Sequence, residues 1–522
     1  MNQNIDTLSQ VARLAVQKND WKTVSESAQA ILMQNPESAE GLFLAGKVER
    51  VANRPINAIQ CFERALNIDS SRYDAAVELA NQYSIARRNG DAEILLDKYS
   101  SYLVPSSVYS DLAGTIYTDI GLAEKAYPLF EQAVKLQPKV DLFQANLASC
   151  AVFLGKIEEA KAIYLNLLNR FPNHQRNHYQ LARLEKATDD VHITQMKQVV
   201  ASTQNTADKN IFIYYAIAKE LEDLGQWKDA FEYYKKAGDA VCSVAKYNCD
   251  EDITLIDTII NTCSQKWIQN NNGSSNNQEP IFIVGLPRTG TTLCERIISS
   301  HSSVVTLGET LFMQMVLRRE SGVQSVQAMT PEMIEALVAK DPDSIAKGYL
   351  EQINYRLGDE PYFIDKLPFN VLFLGFIAKA YPNAKIIYLN RNPMDACFSM
   401  YKQVFTWAYK FSYSLEDLGK YYVAFDRLIT HWKNVMGDRL IEVKYENIVD
   451  NTEEEIRELL DKLGLPFEQA CLDFNENAAP SATASSVQIR EKAHNKSVNK
   501  WLKFEEELKP LREYLQANGI DV

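Results

Sequence analysis

The sequence contains no run of about 18 apolar residues, so no membrane-spanning helix is expected. Its start, Met1 to Asp6, lacks the basic residues and apolar stretch of a secretory signal. The eight cysteines (Cys61, Cys150, Cys242, Cys249, Cys263, Cys294, Cys397 and Cys471) include no Cys-x-x-Cys pair. That scatter is neither a disulfide framework nor a zinc site, and it suits a reducing, cytoplasmic setting. The six histidines form no zinc motif and no Ser–His–Asp arrangement, so no metal is expected. Basic excess is missing too. Residues 1–280 carry 28 basic against 35 acidic side chains and residues 281–522 carry 27 against 33, giving −7 and −6 of the total −13. A surface hold on nucleic acid, a membrane or a highly anionic glycan is therefore not expected. Any anion must be bound in a local pocket.

What is present first is a period. A small residue, an aromatic or large apolar one four later and another three further on recur as Ala58/Phe62/Ala65, Ala92/Leu96, Ala126/Phe130/Ala133 and Ala160/Tyr164/Leu167, with the alanines 34 residues apart. The pattern returns as Ala230/Tyr234/Ala237, 70 residues after Ala160. Small residues let paired helices approach, aromatics fill the gap, and Pro138 and Pro172 stand where second helices end. The pattern resembles the tetratricopeptide repeat, a helix–turn–helix unit of this length. Units are expected at 5–36, 37–70, 71–106, 107–139, 140–173, 174–206 and 207–243. The first and sixth are degenerate, with Val24 and Thr194 where alanine is expected. A closing helix is expected at 251–268, and the polar run 269–279 reads as a linker or exposed loop. Such an array offers a concave face for a partner or acceptor protein; the plainer alternatives are a scaffold or a dimer contact.

Past the linker the periodicity changes. Ile281-Phe-Ile-Val284 fits a buried parallel strand and leads into Gly285-Leu-Pro-Arg-Thr-Gly-Thr-Thr292 and then a helical pattern. A strand, a glycine-bounded loop and a helix together aim backbone N–H groups at a phosphate. Position 291 is Thr where a P-loop NTPase has Lys, which disfavours phosphoryl transfer from ATP or GTP.

Pro287-Arg-Thr-Gly-Thr-Thr292 resembles the 5′-phosphosulfate loop of sulfotransferases that use 3′-phosphoadenosine 5′-phosphosulfate (PAPS). The two-part chain is similar to the tetratricopeptide-repeat sulfotransferases of bacteria, whose catalytic domain is similar to that of the tyrosylprotein sulfotransferases. The resemblance implies an α + α/β fold: a helical repeat solenoid at 1–268, a linker at 269–279, and a P-loop-like α/β domain at 280–522 with a mostly parallel sheet. It also implies PAPS as co-substrate, 3′-phosphoadenosine 5′-phosphate (PAP) as product and no metal. By position, Arg288, Thr289, Gly290, Thr291 and Thr292 would hold the 5′ side of the donor. Arg391 and Ser399, eight apart, would hold its 3′-phosphate. Tyr445, in Val443-Lys-Tyr-Glu446, would reach a donor phosphate, and Ser485 and Lys500 would belong to a loop closing over the nucleotide. Gln488, Arg490 and Lys492 lie between those two.

Glu309, in Leu307-Gly-Glu-Thr310, matches the family's general base, and Lys366 the lysine that supports the leaving oxygen. Asp365 precedes that lysine where the family often has Asn or Ser, and would orient it or pair with it. His301 reads as a packing or capping residue. The resemblance implies an acceptor hydroxyl on a protein tyrosine, which it and the repeat array favour, or on a carbohydrate or small molecule. Two rivals stay open: a repeat scaffold with an inactive transferase half, and a nucleotide or small-molecule kinase. A homodimer is compatible with all of these.

Overall fold

The computed structural model describes residues 4–103, 105–203, 206–269, 278–405, 408–481, 483 and 486–522. Of the expected sites, Ser485 lies outside the described residues, as does most of the expected linker (270–277). Among the described residues, no helix is long and apolar enough to cross a membrane.

The chain divides into two compact units, residues 1–154 and 155–522. The first is all helical: Ile5–Gln17, Trp21–Gln34, Ala39–Val51, Pro55–Ile68, Tyr73–Ile85, Asn89–Tyr99, Ser107–Asp119, Ala123–Leu136 and Asp141–Phe153. Side-chain oxygens of Asp20, Ser38 and Ser106 cap helix starts by accepting from backbone N–H groups. The periodic positions do the packing. Ala58, Phe62, Ala65, Ala92 and Ala126 are fully buried. A Cβ added to Gly46 would lie 2.6 Å from the Phe62 ring, and one on Gly114 would lie 2.8 Å from Phe130, so each glycine admits its aromatic partner.

The second unit begins with more helices: Ile157–Arg170, Gln175–Leu184, Val191–Thr203, Ile211–Asp223 and Trp227–Val244. Each expected repeat unit thus holds two helices. The closing helix is in fact two, Cys249–Thr262 and Gln265–Gln269. The helices after residue 175 share one core with the α/β part, running from Tyr179 to Leu515. The Phe231 and Tyr401 rings stack at 6.0 Å, and the Tyr215 hydroxyl donates to the Tyr401 carbonyl at 3.3 Å.

The strands are β1 (Glu279–Gly285), β2 (Val304–Thr306), β3 (Tyr362–Lys366), β4 (Lys385–Asn390) and β5 (Leu440–Lys444). They form one all-parallel sheet in the order β2-β3-β1-β4-β5. Alternation sends Phe282, Val284, Phe363, Ile386 and Tyr388 to one core, and Ile281, Ile283, Ile364, Ile387 and Leu389 to the other. Burial on both faces explains why β1 and β4 read as unbroken apolar runs. After β1 the chain crosses toward β2, and after β4 it crosses toward β5. The boundary between β1 and β4 is therefore a switch point, where a parallel sheet opens a crevice at its strand C-termini.

Candidate active site

The crevice is lined by the segments that leave the C-terminal ends of the strands. After β1, a left-handed backbone at Arg288 (φ +68°) and at Gly290 (φ +101°) folds the loop back before the helix Thr291–Ile298 starts. The Thr289 hydroxyl donates to the Leu286 carbonyl at 2.7 Å and ties the loop to itself. First-turn N–H groups of a helix have no partner within it, so those of Thr291 and Thr292 are available at the loop mouth. Tyr445, the first residue after β5, lies across Gly290; a Cβ there would come within 2.5 Å of its ring.

Arg391 directly follows β4. It donates to the Arg288 carbonyl at 2.8 Å and to the Ser497 carbonyl at 2.7 Å, and its guanidinium lies 4.6 Å from the centre of the Tyr445 ring. Its buried Nε has no hydrogen-bond partner among the described residues. The Tyr445 hydroxyl meets Ser497 Oγ at 2.7 Å. Arg288 donates to Gln488 Oε1 at 2.9 Å. Burial, and then the neighbouring Arg391 cation, push the Arg288 guanidinium down to about 10. Two guanidiniums held this close favour an anion between them.

In the same cavity Glu309 follows β2, and Lys366 ends β3. The fully buried Lys366 ammonium donates to Glu309 Oε1 at 2.5 Å and lies 3.4 Å from Glu295 Oε2. Burial disfavours its charge, but Glu295 and Glu309 together outweigh that and raise its pKa. Thr306 donates to Glu295 Oε1 at 2.6 Å. Asp365 neither pairs with Lys366 nor orients it, contrary to what its place in the sequence suggests. Neighbouring strand residues point to opposite faces, so the Asp365 carboxylate turns away. It accepts from Thr310 Oγ1 (3.0 Å), Tyr349 Oη (2.6 Å) and Asn370 Nδ2 (3.0 Å) instead. Through Thr310 it anchors the residue next to Glu309. Burial raises its pKa to about 7 against the pull of those donors.

Arg288, Gly290, Thr291, Thr292, Glu309, Arg391, Ser399, Tyr445 and Lys500 surround one cavity of about 440 Å³. Thr289 and Lys366 stand behind its wall, each buried. Ser399 reaches it from the helix Pro393–Tyr401, whose start is capped by Asn392. His301 lies elsewhere, with Nε2 against the Pro466 carbonyl at 3.0 Å.

Several residues that the sequence did not single out complete the site. Asp395 accepts from the Asn499 and Trp501 N–H groups at 2.6 and 3.1 Å and fixes the backbone at Lys500. Lys402 and Glu222 line the cavity, and so does the Phe405/Tyr409 pair. Glu222 comes from the helix Ile211–Asp223 and pairs with Lys402 at 2.9 Å and Lys500 at 2.5 Å. Glu295 sits on the loop's helix in plain register with Thr291 and Thr292, a signal that could have found it.

A sequence model described as the sulfotransferase family matches residues 280–469, and one described as the tetratricopeptide repeat matches 121–184. An uncharacterized protein of Aquifex aeolicus is 30% identical over 70% of this chain and 48% of its own length. A putative protein-tyrosine sulfotransferase of Caenorhabditis briggsae is 25% identical over 44% of this chain and 82% of its own. Protein-tyrosine sulfotransferase 1 of Danio rerio is 28% identical over 42% and 65%. The chain thus spans about half the length of the Aquifex relative.

Proposed function

We propose that this chain, which joins tetratricopeptide repeats to a sulfotransferase-family domain, moves a sulfuryl group from PAPS to an acceptor hydroxyl. The observation that carries the reading is the convergence on one cavity of the glycine-bounded loop, Arg391 and Glu309, with Lys366 bonded to Glu309 behind the wall. The donor fits this lining on three counts. Arg391 Nε is buried without a partner among the described residues, Arg288 and Arg391 crowd together, and position 291 lacks the lysine that a triphosphate would require.

In this reading PAPS supplies the sulfuryl group and leaves as PAP. The loop N–H groups and Arg288 bind its 5′ side. Arg391 and Ser399 select the 3′-phosphate, with Tyr445, Ser485 and Lys500 as further donor contacts. Glu309 takes the proton from the acceptor hydroxyl as its oxygen bonds to sulfur. The Lys366 ammonium supports negative charge on the departing oxygen. We assign residues 280–522 to this chemistry; the expected linker 269–279 begins on the last residue of the helix Gln265–Gln269 and ends on the first residue of β1.

The acceptor favoured is a protein tyrosine. Phe405, Tyr409 and Phe369 form an aromatic cluster on the Glu309 side, with Phe369 and Tyr409 centred 4.4 Å apart, and two of the relatives bear the name protein-tyrosine sulfotransferase. Region 1–268 would then hold the protein that carries that tyrosine. Thermal unfolding with PAP or with ATP–Mg tests the donor. Stabilisation by PAP alone is expected, and stabilisation by ATP–Mg alone would overturn the reading. Incubation with radiolabelled PAPS and lysate should put label in the protein fraction, on tyrosine; label only in glycan or small-molecule fractions would overturn the acceptor assignment.

A further inference from the structure

Part of the cavity wall is built by Lys219, Glu222, Asp223 and Tyr234, from two helices of the repeat region. Glu222, near the end of the helix Ile211–Asp223, is 7% exposed and bridges two lysines: Lys402 Nζ at 2.9 Å from its Oε1 and Lys500 Nζ at 2.5 Å from the same oxygen. The Tyr234 hydroxyl donates to Glu222 Oε2 at 3.0 Å, which holds the carboxylate from its other side. Lys402 stands one residue past the helix that carries Ser399, three positions on, and therefore on the same face. Its ammonium also lies 4.6 Å from the Phe398 ring centre.

We infer that Glu222 is a positioning residue of the donor site, keeping Lys402 charged and holding Lys402 and Lys500 toward the anion that the cavity binds. The inference rests on the donor assignment above and extends the site into the repeat region.

The Lys402 side chain is 16% exposed and that of Lys500 37%, and both ammonium groups meet one carboxylate oxygen. Without that carboxylate, burial and repulsion from Lys500 and Arg288 favour release of the Lys402 proton. The groups facing Lys402 are Glu222, Lys500 and the Arg288 guanidinium; Tyr234 faces it only through Glu222, and Lys219 is occupied with Asp223 at 2.7 Å. Two of these are cations, and only Glu222 offsets them. Burial already lowers the Lys402 pKa, with Lys500 and Arg288 adding to that. Glu222 itself is penalised by burial but is held down at about 2 by Lys402 and Lys500. The Lys–Glu–Lys unit keeps a net charge of +1, so an anionic ligand is still attracted.

Calorimetric titration of the full chain with PAP between pH 6 and pH 9 tests this. In the wild type, affinity should vary little across that range. In Glu222→Gln it should stay near wild type at pH 6 and fall about tenfold by pH 9, the loss of one charge-assisted contact. A Glu222→Gln profile that follows the wild type at every pH would overturn the inference, as would tighter binding at every pH, which would mean that the carboxylate competes with the donor. If the wild type binds no PAP, the donor assignment fails, and pyrophosphate serves as the probe for the same comparison. If Glu222→Gln does not fold, the double variant Glu222→Gln/Lys402→Met removes the second cation. It should bind the probe with a flat pH profile and about tenfold more weakly than wild type. Wild-type affinity in that variant would show that Lys402 plays no part in binding and would overturn the inference.

Discussion

Lys366 Nζ donates to Glu309 Oε1 at 2.5 Å, joining an ammonium with no solvent exposure to a carboxylate whose side chain is 42% exposed. With Glu295 at 3.4 Å on its other flank, the one cation serves two carboxylates and the cluster carries a net negative charge. Glu309 is the member of the cluster that lines the cavity.

Replacing the exposed member should therefore separate chemistry from binding. Glu309→Gln is expected to lower turnover by about 10²–10⁴-fold while PAP binding stays near wild type. Single-turnover rates and calorimetry read the two quantities independently. Full turnover with an identified acceptor would remove Glu309 as the base.

Replacing the buried member should act on folding as well. Lys366→Met removes the ammonium that Glu295, 7% exposed, and Glu309 share. A loss of about 3–5 kcal/mol is expected, measured by denaturant unfolding. The double variant Lys366→Met/Glu295→Gln should recover part of it.

Arg391 tests selection for the 3′-phosphate. Arg391→Lys keeps the charge but loses the planar fork, so PAP affinity should drop by about tenfold or more. Affinity for adenosine 5′-phosphate should change little. A parallel loss for both nucleotides would place Arg391 elsewhere on the donor.

Gly290 tests the loop. At φ +101°, and with the Tyr445 ring 2.5 Å from where a Cβ would stand, Gly290→Ala meets both backbone strain and a ring. A cost of about 1–3 kcal/mol is expected from the backbone alone. Adding Tyr445→Ala should relieve only the steric share, which a comparison of melting temperatures resolves.

Asp365 sets a pH dependence of stability. Its folded pKa, about 7, lies above the ordinary carboxylate value, so the folded state binds this proton more tightly than the unfolded chain. Its contribution is full at low pH and declines as pH rises from about 4 to about 7. Asp365→Asn can still bond Thr310, Tyr349 and Asn370, and it should abolish that decline. Wild type and variant unfolding free energies compared at pH 5 and pH 8 should shift in the variant's favour at the higher pH; an unchanged difference would contradict the assignment.

Much of the molecule is legible in its sequence because the signals are local. The 34-residue spacing of Ala58, Ala92, Ala126 and Ala160 places every one of them at a fully buried contact. Gly285 to Thr292, and the residues just past the apolar runs of β3 and β4, stand at strand ends, where a parallel sheet must open its crevice. Asp365 is the exception among the local signals: adjacency to Lys366 suggests a partnership, yet strand alternation, an equally local rule, turns the two side chains apart.

By itself, then, the sequence determined the repeat period, the helical pairs, the buried strands, the glycine-bounded loop without a lysine and the order of the candidate residues along the chain. Each depends on neighbours within a turn or a strand. Only the tertiary structure decided that Glu295 shares Lys366, that Asp395 fixes the backbone at Lys500, and that Glu222 reaches Lys402 across 180 residues. The reason is physical. A polar residue at the end of a repeat helix has the same local pattern whether it faces water or a distant lysine, and packing between remote segments alone selects which.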